Sequence, residues 1–427
     1  MKKNYFTHEK TIKNIEEYTY TKNGLKLLYV HMPGCDTVTS NIVYMVGSRH
    51  EARGETGIAH MLEHMMFKDT KDKYGKKAPA PRYIALQNKG ALLNASTWTD
   101  RTNYYFVMPS EYLGDMLQAE AERMRGLILT PKEFAPEQQN VLSEYEMYAD
   151  RPDFVLSTAM TAQAFVSHGY GHETIGYKSD IEHITCESLK AFYDTYYWPN
   201  NAYLIVTGDV EREKVFRLVD EHFGHIKASP TPIPQCVIAE PPAYGTRTIE
   251  IVRKNPVTMT SFAYRSPRSG DPLWAHAYIW SLYLAGGKLS PLYKRLVETN
   301  MVSAIAPSLM PSYDPYLVSF TATISHGVRV EDVQKIIAEE IERTRTKALS
   351  KSELVRTKNK LIAEIVFERD GAHAVARELT EYVASGDWTE YHTLLEKIEA
   401  TTAADVQAFA QKWCIDSELI IGTFKGS

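Results

Sequence analysis

The alternation of apolar and polar residues divides the chain into predicted strands and helices. Glu17–Tyr20 and Leu25–Val30 flank the dipeptide Asn23-Gly24, which is typical of a tight hairpin turn between two strands. Thr102–Met108 is rich in β-branched and aromatic residues, and Ala202–Asp209 is an apolar run that predicts a buried strand. The first half of the chain is therefore expected to contribute several strands to a sheet.

Helical periodicity marks the segments between these strands. One stripe of a predicted helix would be buried in a core, and it consists of Ile58, Met61, Leu62 and Met65. Thr130, Pro131 and Glu133 have the spacing of a typical helix start, and the helical pattern continues from there to Arg151. Further helices are predicted at residues 82–89, 110–124, 189–196 and 213–223.

The helix with this apolar stripe carries the candidate chemistry on its other face. His60 and His64 are four residues apart, so both imidazoles lie on one side of a helix and can bind one metal ion. Glu63 lies at the edge of that face, where a carboxylate can take a proton from water. Zinc lowers the pKa of water to about 7, and the order H-x-x-E-H marks the inverted zinc peptidases. The alternative is a helix with two surface or core histidines.

A third protein ligand is expected from the helix that begins near Thr130. Glu137 and Glu144 are seven residues apart, which is about two helical turns, so they share one face. A carboxylate on that face would complete the metal site if the two helices dock against each other. The alternative is a solvated acidic face, which would be preferred without the histidine motif.

The second half of the chain repeats the first at long period, which indicates a duplication rather than a solenoid. Leu349–Leu354 repeats Leu129–Phe134, and counting ten residues onward from each segment gives Glu364 and Glu144. The second copy has no H-x-x-E-H motif, so only the first half is equipped to hold a metal. We predict a zinc-binding catalytic domain, a proline-rich linker and a homologous metal-free domain over residues 1–228, 229–243 and 244–427.

Composition and charge narrow the class of protein. With 44% hydrophobic and 24% charged residues, the chain of 427 residues can form two globular domains. A net charge of −5 gives no reason to expect a nucleic-acid partner, and no apolar run of about 18 residues predicts a membrane span. The first ten residues lack the apolar core of a signal peptide, so we expect a cytoplasmic protein, or a periplasmic one if a leader was removed. The four scattered cysteines are expected to be reduced.

In combination, these motifs resemble the pitrilysin/insulinase family of zinc peptidases, in the short two-domain branch that includes the mitochondrial processing peptidase. The resemblance extends over nearly the whole chain and includes the duplication. The segments that carry it are Gly57–Phe67, Asn94–Thr97, Glu137–Glu144, Tyr197–Ala202 and Gly208-Asp209. It implies an α+β fold of two homologous domains, each a mixed β-sheet with helices packed on one side, which enclose a chamber for peptides or unfolded segments.

The resemblance also implies a role for each residue of the metal site. The ligands of one Zn²⁺ ion per chain are expected to be His60, His64 and Glu144. Glu63 is expected to act as the general base, and Glu137 matches a second glutamate that supports the site without being a usual ligand. Glu146 is the rival third ligand, but it lies two residues beyond Glu144, about 200° around the helix, and should face away.

Asn94, Ala95 and Ser96 match an edge strand to which the family adds its substrate peptide by backbone pairing. Main-chain hydrogen bonds hold an extended peptide whatever its side chains, so the sequence preference is expected to be loose. The alternative is a simple turn that leads into the strand Thr102–Met108. The implied mechanism is metal-assisted hydrolysis, in which Glu63 takes a proton from water and later passes it to the leaving amine.

The chain departs from the family pattern in its second half. Many active relatives carry an arginine and, seven residues later, a tyrosine, and both contact the substrate carbonyl. Val297 and Ala304 stand at those positions, and neither side chain can donate a hydrogen bond. Such a donor is typically worth about 3–4 kcal/mol, so we expect a homodimer or a heterodimer in which a family member supplies the missing pair. Gly286-Gly287, just upstream, is either a tight turn or a substrate-guiding loop.

Two alternatives to a zinc endopeptidase stay open at this point. One is a non-catalytic scaffold or assembly subunit of the same family, which the missing arginine–tyrosine pair favours and the intact H-x-x-E-H motif opposes. The other is a metal-binding protein without hydrolytic activity. Replacing Glu63 with Gln separates the second alternative from an enzyme, because zinc should stay bound while cleavage should vanish.

Overall fold

The computed structural model describes residues 5–78 and 81–427. Residues 79–80 and the first four residues of the predicted catalytic domain lie outside the described residues. Contacts group the chain into two discontinuous units. Unit 1 contains the described residues up to Tyr145 together with Glu173–Val237 and Glu368–Ala384. Unit 2 contains Glu146–His172, Ile238–Phe367 and Ser385–Ser427.

Strands in the described residues fall into two sheets. They are β1 (Phe6–Ile12), β2 (Ile15–Tyr20), β3 (Lys26–His31), β4 (Val38–Tyr44), β5 (Leu92–Thr97), β6 (Thr102–Met108), β7 (Ala202–Gly208), β8 (Arg247–Arg253), β9 (Thr258–Arg265), β10 (Val302–Leu309), β11 (Leu317–Ile324) and β12 (Ile420–Gly426). The sheet of unit 1 has the order β1-β2-β3-β7-β4-β6-β5, and the sheet of unit 2 has the order β10-β11-β9-β12-β8. Each is mixed, because β3 runs parallel to β7 and β12 runs parallel to β8 while the other neighbours are antiparallel.

Helices connect and cover these strands. In chain order they are α1 (Ile58–Met65), α2 (Arg82–Asn88), α3 (Leu113–Gly126), α4 (Pro131–Ala149), α5 (Pro152–Ala164), α6 (Lys178–His183), α7 (Cys186–Tyr196), α8 (Arg212–Phe223), α9 (Pro272–Ala285), α10 (Val330–Thr346), α11 (Lys351–Phe367), α12 (Ala372–Ala384), α13 (Glu390–Ala400) and α14 (Ala403–Trp413). In the part of the chain that is described, none of these helices is long and apolar enough to cross a membrane.

In unit 1, α3 packs on one face of the sheet, and α12, from the second half of the chain, packs on the other face. On one face, the guanidinium of Arg123 from α3 lies 4.5 Å from the ring centre of Tyr104 on β6. On the opposite face, Asn41 of β4 donates a hydrogen bond of 2.6 Å to Thr380 of α12. The helix α12 therefore comes from the second half of the chain but packs on the first sheet.

The sheet of unit 2 shows the reciprocal arrangement. Trp280 of α9 packs against Phe320 of β11 on one face, with ring centres 5.1 Å apart. On the other face, Leu156 and Met160 of α5 form a buried cluster with Ala263 of β9. The helix that follows α4 therefore covers the second sheet, and the helix that follows α11 covers the first.

The predicted α+β class with two mixed sheets is confirmed. The predicted strand over Thr102–Met108 has the observed bounds, and residues 229–243 contain neither helix nor strand. The strand β1 and the separate helix α5 were not predicted. The predicted domain boundaries at residues 228 and 244 stay a prediction. The two packing units are discontinuous because α5 packs on the sheet of unit 2 and α12 packs on the sheet of unit 1.

Candidate active site

The helix α1 presents the H-x-x-E-H residues because its apolar stripe is buried. Ile58, Met61, Leu62 and Met65 are at most 1% exposed. His60, Glu63 and His64 are only partly buried and lie on the remaining face. Gly57 precedes the helix with φ 92°, and a side chain there would meet the carbonyl oxygen of Ile175 at 2.5 Å. Only glycine fits this close approach without strain.

A buried glutamate holds the beginning of α1. The two oxygens of Glu51 accept hydrogen bonds of 2.8 and 2.9 Å from the backbone N–H groups of Gly57 and Ala59. Burial raises the pKa of Glu51 to about 8, although these two hydrogen bonds oppose the rise. Glu51 thus satisfies two of the N–H groups that a helix start leaves without a partner.

Two imidazoles and one carboxylate converge beside α1. Nε2 of His60 and Nε2 of His64 both lie 3.7 Å from Oε2 of Glu144 on α4. Among the described residues, this is the one group of three whose ligand atoms all lie within 4.8 Å of one another. A tetrahedral zinc ion with bonds of about 2.0–2.1 Å keeps its ligand atoms about 3.4 Å apart. The spacing and the two-nitrogen, one-oxygen donor set therefore fit zinc.

A second carboxylate contacts the other ring nitrogen of His64. Oε2 of Glu137 lies 3.4 Å from Nδ1 of His64, and Glu137 also accepts hydrogen bonds from Lys68 and Asn140. Burial raises the pKa of Glu137, but the bonds from Lys68 and Asn140 outweigh it and lower the pKa below its ordinary value. A carboxylate of this kind fixes the orientation of a metal-binding histidine and strengthens it as a ligand. Nδ1 of His60, by contrast, is buried without a hydrogen-bond partner among the described residues.

The two histidines differ in how readily they carry a proton. Burial, together with the charge of His64, lowers the pKa of His60 to about 4, so this imidazole is neutral at pH 7. Burial also lowers the pKa of His64, but Glu144 and Glu63 outweigh it and raise the pKa above its ordinary value. His64 is therefore the imidazole at which a proton would compete with a metal ion.

Glu63 lies between the motif helix and the edge of the sheet. Oγ1 of Thr97, the last residue of β5, donates a hydrogen bond of 2.6 Å to Oε2 of Glu63. Burial raises the pKa of Glu63, while the hydrogen bond from Thr97 and the charges of His64 and Arg101 lower it in part. A carboxylate with a raised pKa is better matched to proton transfer near neutral pH than an ordinary glutamate.

The strand β5, which contains Asn94, Ala95 and Ser96, forms one edge of the unit 1 sheet. It pairs with β6 on one side, and no described strand pairs with its other side. Ala95 is buried, whereas Asn94 and Ser96 are exposed. The predicted alternative of a simple turn at these residues is wrong, because they form part of a six-residue strand.

A buried arginine fixes this edge strand. Nη1 of Arg101 donates hydrogen bonds of 2.9 Å to the carbonyl oxygen of Ser96 and to Oδ1 of Asn103. Nη2 of Arg101 donates to Glu381 of α12, and the Arg101 residue is only 8% exposed. The exchanged helix α12 is thereby linked to the strand that borders Glu63.

The remaining predicted positions lie outside this cluster. Glu146 on α4 is exposed and is not one of the three grouped ligands. Val297 ends the short π-helix Tyr293–Val297, and the exposed Ala304 lies on β10. Residues of unit 1 that the sequence did not single out are Glu51, Lys68, Thr97 and Arg101. Thr97 was part of the segment that carried the family resemblance, but its contact with Glu63 depends on tertiary packing.

Comparisons with known families cover most of the chain. The family described as Insulinase (Peptidase family M16) matches residues 26–178, and the one described as Peptidase M16 inactive domain matches residues 183–361. Zinc protease PqqE of Helicobacter pylori is 32% identical over 376 residues, which are 86% of this chain and 83% of that protein. A probable mitochondrial-processing peptidase subunit beta of Arabidopsis thaliana is 23% identical over 94% of this chain and 77% of that protein.

Solved structures show the same fold. The crystal structure of a protease from Helicobacter pylori superposes with a TM-score of 0.91 and 28% identity, over 99% of this chain and 100% of that one. These similarities define the class as that of the zinc proteases. Within that class, the chain belongs to the pitrilysin/insulinase family, peptidase family M16, in the two-domain branch that resembles the mitochondrial processing peptidase.

Proposed function

We propose that this chain is a zinc-dependent endopeptidase in which His60, His64 and Glu144 hold one zinc ion. The observation that carries the proposal is the equal distance of 3.7 Å from both histidine Nε2 atoms to Oε2 of Glu144. Glu63 lies on the same helix as the two histidines. A zinc ion in this position would polarise the scissile carbonyl and lower the pKa of water.

The proton transfers fall to Glu63. Its carboxylate takes a proton from the attacking water and later gives that proton to the leaving amine. Thr97 holds one carboxylate oxygen through its hydroxyl, which leaves the other oxygen for the water. Glu137 and Lys68 hold His64 in the orientation that its role as a ligand requires.

The substrate in this proposal is an extended peptide that adds to the edge strand β5. An added strand would make main-chain hydrogen bonds along Asn94, Ala95 and Ser96 next to Thr97 and Glu63. Because main-chain groups are the same in every peptide, a wide range of sequences should bind. The hydrogen bonds of Arg101 to Ser96 and Asn103 hold the strand in place for this pairing.

A partner chain is part of the proposal. Val297 and Ala304 cannot donate side-chain hydrogen bonds, so the chain lacks the arginine–tyrosine pair that active relatives use. The mitochondrial relatives are named as beta subunits, which fits an enzyme of more than one chain. A second copy or a family member would supply the missing donors, and peptide cleavage by the purified chain should rise when that member is added.

The deciding experiment compares the wild-type chain with Glu63→Gln. Both proteins should bind one zinc ion per chain in metal analysis, because Glu63 is not a ligand. Only the wild type, with its partner present, should digest a mixture of peptides, and a chelator should stop the digestion. Digestion that survives both the substitution and the chelator would contradict the proposal.

Two observations favour a second function, that of a non-catalytic assembly subunit. The missing arginine–tyrosine pair and the match of residues 183–361 to a domain described as inactive are both consistent with it. Zinc binding without peptide cleavage, in the presence of every family member of the same organism, would favour this second function.

A further inference from the structure

Unit 2 contains a cavity of about 230 Å³ between the end of α9 and the middle of α11. The glycine turn Gly286-Gly287 forms one wall, and its backbone is folded as a tight turn in which Ser290 donates to the carbonyl oxygen of Gly287 at 2.9 Å. Leu282 and Leu289 give the cavity an apolar lining. All the residues that line this cavity belong to unit 2, and none of them is one of the three candidate metal ligands.

The charged residues that line this cavity are all cations: Lys288, Arg356 and Lys360. Lys360 pairs with Glu364 at 2.7 Å. The side chains of Lys288 and Arg356 form no ion pair or hydrogen bond within the described ranges 5–78 and 81–427. The nearby Glu353 already accepts hydrogen bonds from Ser350 and Tyr283. The cavity therefore has a surplus of positive charge, which favours an anionic ligand.

The duplication relates a helix that lines this cavity to the helix that carries the carboxylates of unit 1. The helix α11 is the second copy of α4, in the register that aligns Glu364 with Glu144. In that register Thr357 stands where α4 has Glu137, and Lys360 stands where α4 has Asn140. The second copy thus keeps one glutamate, Glu364, but has no carboxylate in the position of Glu137, and Lys360 adds a cation that the first copy lacks.

We propose that this cavity binds a carboxylate group of a peptide. A guanidinium such as that of Arg356 binds a carboxylate with two parallel hydrogen bonds, and the two lysines add charge. Leucine side chains beside the cations suit the apolar part of a peptide residue. The volume is below that of pockets for drug-sized ligands, so it suits one terminal residue or one acidic side chain. The choice of a peptide as the source of the carboxylate rests on the proposed function. Binding of a carboxylate in this cavity does not require an active metal site.

The test measures peptide binding by fluorescence anisotropy to the full chain that carries Glu63→Gln, so that no cleavage intervenes. Three labelled peptides share one sequence: one has a free C-terminal carboxylate, one a C-terminal amide, and one an amide with its internal Glu replaced by Gln. We expect at least one carboxylate to tighten binding roughly tenfold. Tightening by the free C-terminus identifies the terminal carboxylate, and tightening by the internal Glu identifies the side chain.

Substitutions then locate the binding. Arg356→Ala and, separately, Lys288→Ala should remove most of the preference for the carboxylate peptide and leave binding of the neutral peptide unchanged. Lys288 is exposed, so its variant should fold even if the arginine variant does not. Lys412→Ala removes the same charge from the exposed surface of α14 and should leave the preference intact.

Three results would overturn the assignment. They are equal binding of all three peptides, an equal loss of preference in Lys412→Ala, and binding of inorganic phosphate without binding of either carboxylate. Repeating the measurement after zinc removal separates this proposal from the proposed function. A preference that persists without zinc supports the cavity even if the chain never cleaves a peptide.

Discussion

The hydroxyl of Thr97 donates a hydrogen bond of 2.6 Å to the carboxylate of Glu63. This contact joins the last residue of the edge strand β5 to the helix that carries the metal-binding motif. If the proposed function holds, a peptide that adds to β5 would lie next to Thr97, and this one side chain would couple substrate pairing to proton transfer by Glu63.

Replacing Thr97 with Val removes this hydrogen bond without a large change of volume. Burial already raises the pKa of Glu63, and the hydrogen bond from Thr97 opposes that rise. Its loss should raise the pKa further, and the base works only when ionised. We expect the acidic limb of the pH profile of kcat/KM to move to higher pH in Thr97→Val. Thr97→Ser keeps the hydroxyl and should keep the wild-type profile, and an unshifted limb in Thr97→Val would contradict the assignment.

Zinc affinity of the metal-free chain should depend on pH through His64. Its pKa is raised, whereas the pKa of His60 is lowered to about 4, so only His64 must lose a proton when zinc binds near neutral pH. Below the pKa of His64, the affinity should rise about tenfold for each pH unit, and above it the rise should stop. The slope of zinc affinity against pH is measured by titration with a competing chelator. The range from about pH 5.5 to 8.5 includes the ordinary pKa of histidine. A flat profile would contradict the assignment of His64 as a ligand that must lose a proton when zinc binds.

The third ligand can be identified by a matched pair of substitutions on α4. Glu144→Gln removes the carboxylate that lies 3.7 Å from both imidazoles, whereas Glu146→Gln changes the exposed glutamate two residues later. Loss of a residue that only orients a ligand costs about 10- to 100-fold in metal affinity, so Glu144→Gln should cost more than about 100-fold. Glu146→Gln should bind zinc as the wild type does. The reverse order of effects would make Glu146 the ligand.

Local patterns were sufficient to predict the motif helix. The apolar stripe of α1 and the spacing of His60 and His64 both follow from helical periodicity, and the structure shows the stripe buried and the histidines on the other face. The position of Glu144 beside them is different, because it lies eighty residues beyond His64 in the sequence. Periodicity left Glu137 and Glu144 equivalent, and only the family resemblance favoured Glu144.

Packing partners could not be predicted from periodicity. The pattern of α12 shows that one face is apolar but not which sheet that face covers, so the exchange of α5 and α12 between the units was not foreseen. The strand β1 was missed because it is a mostly exposed edge strand, with the polar sequence FTHEKTI. Lys68, Thr97 and Arg101 gain their roles from contacts with residues distant in sequence, for which a single sequence carries no signal.

The last prediction concerns Arg101, the residue that links α12 to β5. Its guanidinium donates to Ser96, Asn103 and Glu381, and it is almost fully buried. Removing one partner of a buried charged network leaves the others unpaired, so Arg101→Ala should lower the free energy of unfolding by about 2–3 kcal/mol. Urea denaturation measures this loss.

Arg151→Ala is the matched control, because Arg151 pairs with Asp153 on the surface and both side chains are about half exposed. Such surface pairs contribute about 0–1 kcal/mol to the free energy of unfolding. Arg101→Lys keeps the charge, but its single nitrogen cannot bind Glu381 together with Ser96 and Asn103, which the guanidinium reaches through two different nitrogens. It should recover much of the stability while the KM for peptides stays raised, because the carbonyl of Ser96 on the edge strand is no longer held. Wild-type KM in Arg101→Lys would show that Arg101 serves stability alone.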